Sequence, residues 1–135
     1  MIAIDSSVSI AAFASWHEAH RIAREAVASG ARPVAHALLE TYSVLTRLPA
    51  PHRAPAEAIG EFVESAFPKA PLLPSGDLQA RLVHRLIGFG ITGGPAYDAL
   101  IALTAAEANA TLLSLDRRAA ETYRRCGVDF ELLTS

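Results

Sequence analysis

The chain begins Met1-Ile-Ala-Ile-Asp-Ser-Ser7, and near its other end Ala110-Thr-Leu-Leu-Ser-Leu-Asp116 follows the same pattern. In both stretches a short apolar run ends at an aspartate, which is typical of a buried strand that leads into a helix cap. Segments with helical periodicity separate the two stretches and follow the second. This alternation predicts an α/β fold, in which helices cover both faces of a parallel sheet.

The rest of the chain divides into further helices and extended segments. Helices are predicted over residues 7–29 (with a break near 15–16), 36–48, 55–67, 78–89, 96–109 and 117–126. Extended segments are predicted over residues 32–35, 71–74 and 128–133. Because no internal repeat or long linker divides the chain, we predict a single domain over residues 1–135.

Length and composition agree with one globular domain. The 135 residues are 51% hydrophobic and 19% charged, which excludes a disordered or fibrous chain. A net charge of −2 excludes a generally basic nucleic-acid-binding surface, so any such function must use a local site with cations. The single cysteine, Cys126, excludes an internal disulfide and a multi-cysteine zinc site. With no signal-peptide or membrane-spanning pattern, we expect a soluble, cytoplasmic protein.

Four acidic residues stand where packing alone does not explain them. Asp5 and Asp116 follow strands, at the edge where parallel sheets bind ligands, although each alone also fits a helix N-cap. Asp98 shares a helix face with small apolar residues, and a buried carboxylate is costly unless it is paired, hydrogen-bonded or bound to metal. Glu40 lies at the border of an apolar helix face, where a salt bridge with Arg47 or contacts with Thr41 would also explain it.

Carboxylates have a common chemistry when they are brought together. Crowded carboxylates repel one another, so they need a compensating cation or must take up protons. Hard divalent ions such as Mg²⁺ and Mn²⁺ take oxygen ligands, and they can polarise a phosphodiester and activate water. The residues alone do not show that these four side chains meet.

Four segments carry a resemblance to a known family. They are Ile-Ala-Ile-Asp5-Ser-Ser7, Leu-Leu-Glu40-Thr-Tyr, Tyr97-Asp98-Ala-Leu-Ile-Ala102 and Leu-Leu-Ser114-Leu-Asp116. In this order the chain resembles the PIN-domain family along its whole length, and above all its VapC-type toxins of bacterial toxin–antitoxin pairs.

The resemblance implies a fold and an activity. The fold is a three-layer α/β/α sandwich with a central five-stranded parallel sheet, in which Asp5, Glu40, Asp98 and Asp116 form one acidic pocket for one or two Mg²⁺ or Mn²⁺ ions. The implied activity is that of an endoribonuclease, which hydrolyses RNA with a metal-activated water and leaves a 5′-phosphate and a 3′-hydroxyl. The implied partners are a second copy of the chain, in a homodimer, and a cognate VapB-type antitoxin that blocks the acidic pocket.

Five further residues are candidates for supporting roles. Ser7 and Ser114 match family positions at which a hydroxyl or amide supports the carboxylates, although cap and turn hydrogen bonds would also explain them. Arg53, Arg117 and Arg118 lie near the ends of predicted elements and are candidates for contacts with the RNA backbone. A solvated helix face or loop is the alternative for each arginine.

Two other classes of protein remain open. One is a non-catalytic PIN-fold module that uses the pocket only to bind another protein. The other is a phosphoryl-handling α/β domain such as a receiver or a phosphatase. The second is disfavoured because Asp5-Ser6-Ser7 lacks an Asp-x-Asp pair and the only lysine, Lys69, is far from any strand-end aspartate.

Overall fold

The structure, a computed structural model, describes residues 1–134. One parallel sheet contains strands β1 Ile2–Ile4, β2 Arg32–Pro33, β3 Thr111–Ser114 and β4 Phe130–Leu132. The helices within residues 1–134 are α1 Ser6–Phe13, α2 His20–Ala28, α3 Ala35–Arg47, α4 Ala56–Ala66, α5 Gly76–Phe89, α6 Pro95–Glu107 and α7 Ala120–Cys126. A short 3₁₀ turn, Arg117–Ala119, precedes α7.

The two strands that end in aspartates form the centre of the sheet. The strand order is β2-β1-β3-β4, and Ile4 of β1 is in register with Leu113 of β3. Ala3 and Leu112 contact one apolar cluster, which includes residues of α5, α6 and α7, whereas Ile4 and Leu113 contact another, with residues of α1 and α2. Because adjacent residues of a strand point to opposite faces, both faces of the sheet are covered, as the apolar runs predict.

Over residues 1–134 the sheet has four strands, so the five strands expected from the resemblance are wrong. The expected strand at 71–74 is reduced to one parallel bridge between Leu72 and Val34. Leu72 makes two backbone hydrogen bonds to this edge, each 2.9 Å long. To extend this pairing, residue 74 would have to donate the next backbone hydrogen bond, but Pro74 has no N–H. On the other side of the bridge, the chain leaves the extended conformation and enters α3 at Ala35.

The break between α1 and α2 and the length of β4 were also predicted. The predicted helix over 7–29 breaks as expected near 15–16, since α1 ends at Phe13 and α2 begins at His20. The last strand is shorter than predicted and covers only Phe130–Leu132. Within residues 1–134, no helix has the length and apolar character needed to cross a membrane.

Candidate active site

Asp5 lies directly after β1 and is held by hydrogen bonds on both carboxylate oxygens. Oδ1 accepts hydrogen bonds from the Ser7 hydroxyl (2.5 Å) and from the backbone N–H groups of Ser7 (3.0 Å) and Val8 (3.4 Å). Oδ2 accepts a hydrogen bond of 2.6 Å from the Tyr123 hydroxyl. Burial raises the pKa of Asp5, and the hydroxyls of Ser114, Ser7 and Tyr123 oppose this rise. Asp5 is therefore both the N-cap of α1 and a rigidly held, buried carboxylate.

Ser7 and Ser114 connect the loops that carry Asp5 and Asp116. The Ser7 hydroxyl donates to Asp5 and accepts a hydrogen bond of 2.8 Å from the backbone N–H of Leu115. Ser114 Oγ lies 3.4 Å from Ser7 Oγ and accepts a hydrogen bond of 3.0 Å from the backbone N–H of Asp116. This network joins the carboxyl ends of β1 and β3. The Ser7 hydroxyl thus contacts Asp5 directly, and the Ser114 hydroxyl contacts Ser7. Both hydroxyls also accept a backbone hydrogen bond from the loop after β3.

Asp116 follows β3 and is more exposed than Asp5. Its Oδ1 accepts a hydrogen bond of 2.9 Å from the backbone N–H of Arg118, at the start of the 3₁₀ turn. The Arg118 guanidinium is 3.8 Å from the same oxygen, but this side chain is 96% exposed, so the ion pair contributes little to stability. Arg117 is also exposed. Both arginine side chains are therefore exposed to solvent next to Asp116.

Asp98 lies in the first turn of α6 and is half-buried. Its pKa is raised to about 6, first by burial and then by the negative charges of Glu40, Asp116 and Asp5. Asp98 therefore lies within electrostatic reach of the other three predicted acidic residues. The position of Asp98 at the start of the helix leaves part of its side chain in solvent, so the carboxylate is less buried than its apolar helix face suggests.

Glu40 lies in the second turn of α3. Its Oε1 is buried and has no hydrogen-bond partner within residues 1–134, while its Oε2 lies 4.0 Å from Nε2 of His36. Burial raises the pKa of Glu40, and so does the charge of Asp5, whereas His36 and the Ser6 hydroxyl lower it. A buried carboxylate oxygen without a partner is energetically unfavourable, so this atom is a candidate ligand.

The structural explanations considered for Glu40 do not apply. Arg47 donates a hydrogen bond of 2.7 Å to Ser43 Oγ and forms no salt bridge with Glu40 among the described residues. Thr41 donates its hydroxyl to the carbonyl oxygen of Ala37, at 2.7 Å, and so is occupied within its own helix.

The donor set fits a hard divalent cation by its chemistry. Every candidate ligand atom is a carboxylate oxygen, and among the described residues one such oxygen is buried without a partner. Burial raises the pKa of Asp98, and the charges of the other three carboxylates add to this rise. In the part of the chain that the structure describes, no three acidic, histidine or cysteine side chains are already arranged around one point as metal ligands. Binding would therefore require side-chain movement, for which the partly exposed Asp98, Asp116 and Glu40 have more freedom than Asp5.

Arg53 is not brought to the acidic residues. Its guanidinium donates a hydrogen bond of 2.8 Å to the carbonyl oxygen of Leu48, beyond the C-terminal end of α3. The eight residues from Glu40 to Leu48 separate these two points by about 12 Å along a helix axis. A contact between Arg53 and RNA would therefore lie away from the carboxylates.

Tyr123 is a site residue that the sequence analysis missed. It is buried in α7, where it packs with Ala119 and Cys126 in the cluster on that face of the sheet. Burial and the charge of Asp5 raise the pKa of the Tyr123 hydroxyl, so the hydroxyl stays protonated and remains a donor. A signal was present, since a tyrosine on the buried face of a helix usually has a partner for its hydroxyl.

Acidic residues at the carboxyl ends of two adjacent parallel strands, with a third on α6 and a fourth on α3, are the arrangement that the sequence resemblance implied. A sequence model of the PIN domain matches residues 2–125. The chain belongs to the PIN domain family.

Individual relatives are also similar over nearly the whole chain. The chain is 45% identical to Ribonuclease VapC40 of Mycobacterium tuberculosis, over 99% of this chain and 100% of that protein. It is also 45% identical to Ribonuclease VapC27 of Mycobacterium tuberculosis, over 94% of this chain and 93% of that protein. Among solved structures, that of FitAcB from Neisseria gonorrhoeae aligns with a TM-score of 0.68 over 96% of each chain. At 16% identity this last similarity supports the fold alone.

Proposed function

We propose that this protein is a metal-dependent endoribonuclease and the toxin component of a VapBC-type toxin–antitoxin pair. The observation that carries the proposal is geometric: Asp5 and Asp116 follow the adjacent parallel strands β1 and β3, and Ser7 and Ser114 link the ends of these strands. Burial raises the pKa of Asp98, and the charges of Glu40, Asp116 and Asp5 add to this rise, which supports grouping the four carboxylates. The names of the relatives, which are 45% identical, support ribonuclease activity. In this proposal the protein acts on RNA in the cytoplasm. Its cofactor is Mg²⁺ or Mn²⁺.

The four carboxylates have different roles in the proposed reaction. Asp5 and Asp98 hold the cation, while Glu40 and Asp116 complete the site or position the attacking water. A bound Mg²⁺ or Mn²⁺ ion supplies the Lewis acid that activates water and neutralises charge on the phosphodiester. Ser7 and Tyr123 keep the Asp5 carboxylate in a fixed orientation through their hydroxyls.

The remaining residues bind the substrate or mark the surface that a partner covers. Arg117 and Arg118 lie beside Asp116 and would bind RNA phosphates, with Arg53 as a more distant contact. A VapB-type antitoxin would place a basic side chain against the same carboxylates, because their charge is not compensated. The functional unit in this proposal is a homodimer.

Metal removal tests the proposed function directly. The purified protein is expected to cleave single-stranded RNA in Mg²⁺ or Mn²⁺, to lose cleavage in EDTA, and to recover it when the metal is added back in excess. The products, end-labelled and resolved on a denaturing gel, should carry 5′-phosphates and 3′-hydroxyls. RNA cleavage that persists in EDTA would contradict metal dependence, and no cleavage under any condition would favour the non-catalytic PIN-fold module.

Metal affinity is expected to depend on pH below about 6. The charged form of Asp98 binds the cation, and its pKa is about 6 in the metal-free protein. Protons therefore compete with the metal below this pH, and the apparent dissociation constant should rise by about tenfold for each further pH unit. Calorimetric titration with Mn²⁺ at several pH values between 5 and 8 measures this dependence. An affinity that stays constant from pH 7 to pH 5 would exclude Asp98 as a ligand.

A further inference from the structure

An exposed aromatic ring stands beside the acidic residues. Tyr97 immediately precedes Asp98 in the first turn of α6, and its side chain is 58% exposed. Its ring lies parallel to the His36 ring, with 5.5 Å between the ring centroids and 5° between the planes. The two rings are therefore parallel but offset, and the Tyr97 ring is largely open to solvent.

The aromatic pair lines a surface cavity that includes Glu40. This cavity has a volume of about 420 Å³, and Leu39 and Arg47 contribute to its other walls. His36 Nε2 is 4.0 Å from Glu40 Oε2, so the inner ring of the pair lies next to a carboxylate of the proposed active site. Arg47 is exposed and places a guanidinium at the rim of the same cavity.

We propose that Tyr97 and His36 form a stacking platform for one unpaired nucleobase of the RNA, next to the phosphodiester that is cleaved. This inference rests on the proposed function. Flat aromatic rings are the side chains on which proteins stack unpaired bases. Because His36 Nε2 lies 4.0 Å from Glu40 Oε2, a base on the platform would hold its backbone close to that carboxylate. Arg47 is placed to bind a phosphate of a neighbouring nucleotide.

The variant Tyr97→Ala tests the platform in the cleavage reaction. On a short RNA that spans a cleavage site of the parent protein, KM should rise roughly 5- to 150-fold, the range that corresponds to one lost base stack. The value of kcat should change little, since the stack forms before and during the reaction. Tyr97→Phe keeps the ring and should retain the KM of the parent. Tyr42→Ala removes an exposed tyrosine of α3 that lies outside the cavity, so it is the matched control.

Modified RNA identifies the base without changing the protein. Replacing single nucleotides near the cleavage site by abasic ones should raise KM at one position for the parent. The same replacement should have little further effect on Tyr97→Ala, because the two changes remove one contact. An unchanged KM for Tyr97→Ala, or a loss confined to kcat, would overturn the platform. These outcomes are distinct from failure of the proposed function, in which the parent itself cleaves no RNA in Mg²⁺.

Discussion

Asp98→Asn is expected to reduce RNA cleavage by at least about 100-fold and, at the same time, to stabilise the metal-free protein. The loss of activity follows because a metal ligand supports several kcal/mol of charge stabilisation, and each 1.36 kcal/mol corresponds to a tenfold change in rate. The gain in stability follows because burial and the charges of Glu40, Asp116 and Asp5 make the Asp98 carboxylate unfavourable.

The pH dependence of this stabilisation has a definite sign. The pKa of Asp98 is raised from 3.8 to about 6, so the charged form destabilises the folded state above pH 6. That penalty declines as the pH falls through 6, and it is absent below the unfolded pKa. Allowing for solvent screening of a half-buried group, Asp98→Asn should gain about 1–2 kcal/mol at pH 7 and little at pH 4. Urea unfolding in EDTA at the two pH values measures both quantities.

Asp129→Asn is the matched control for this experiment. Asp129 is exposed and directly precedes β4, so it lies at the amino ends of the strands, opposite to the carboxyl ends that Asp5 and Asp116 follow. The variant Asp129→Asn should cleave RNA like the parent, and its free energy of unfolding should agree with that of the parent to within about 0.5 kcal/mol. In addition, Mg²⁺ should raise the Tm of the parent and of Asp129→Asn, but not that of Asp98→Asn. If Asp98→Asn cleaves RNA as fast as the parent in Mg²⁺, the assignment of Asp98 is wrong.

The central strands could be predicted from the sequence, whereas the edge of the sheet could not. The central residues of these strands, Ala3 and Ile4 of β1 and Leu112 and Leu113 of β3, are buried and apolar, so the pattern is clear. At residues 71–74 the same kind of short apolar run forms only one bridge, at Leu72, because Pro74 has no N–H and β2 has only two residues. The number of strands at an edge depends on such local details, which a family resemblance does not fix.

The acidic candidates could be recognised in the sequence more readily than Tyr123, which donates a hydrogen bond to one of them. Asp98 stands on an apolar helix face, and this local conflict between charge and packing is visible in the sequence. The Tyr123 hydroxyl meets Asp5 across 118 positions of the chain. That contact depends on how α7 packs against the sheet, which local patterns do not determine. The position of Arg53, by contrast, could have been anticipated, since α3 is 13 residues long and carries the following loop away from Glu40.

Tyr123→Phe is expected to destabilise the protein by about 1–3 kcal/mol at pH 7, although it removes a single oxygen atom. Asp5 is only 3% exposed, and its Oδ2 accepts a hydrogen bond of 2.6 Å from the Tyr123 hydroxyl. Without that hydroxyl the Asp5 carboxylate stays buried but loses a hydrogen-bond donor. The folded state is then destabilised, because a buried acceptor that has lost its partner cannot recover the bond from water. Urea unfolding measures the loss. Tyr42→Phe, a change at an exposed tyrosine, should remain within about 0.5 kcal/mol of the parent.

A second variant separates the hydrogen bond from the packing of the ring. If the destabilisation comes from the Asp5 carboxylate, then Tyr123→Phe should have a much smaller effect in an Asp5→Asn background, because no charge is left without its donor. Tyr123 also fixes the orientation of Asp5, so Tyr123→Phe should weaken Mn²⁺ binding as well as stability. Equal destabilisation in both backgrounds would assign the effect to the core around the ring. Unchanged stability at pH 7 would show that the Tyr123 hydroxyl does not stabilise Asp5, which would then be held through Oδ1 alone, by Ser7 and Val8.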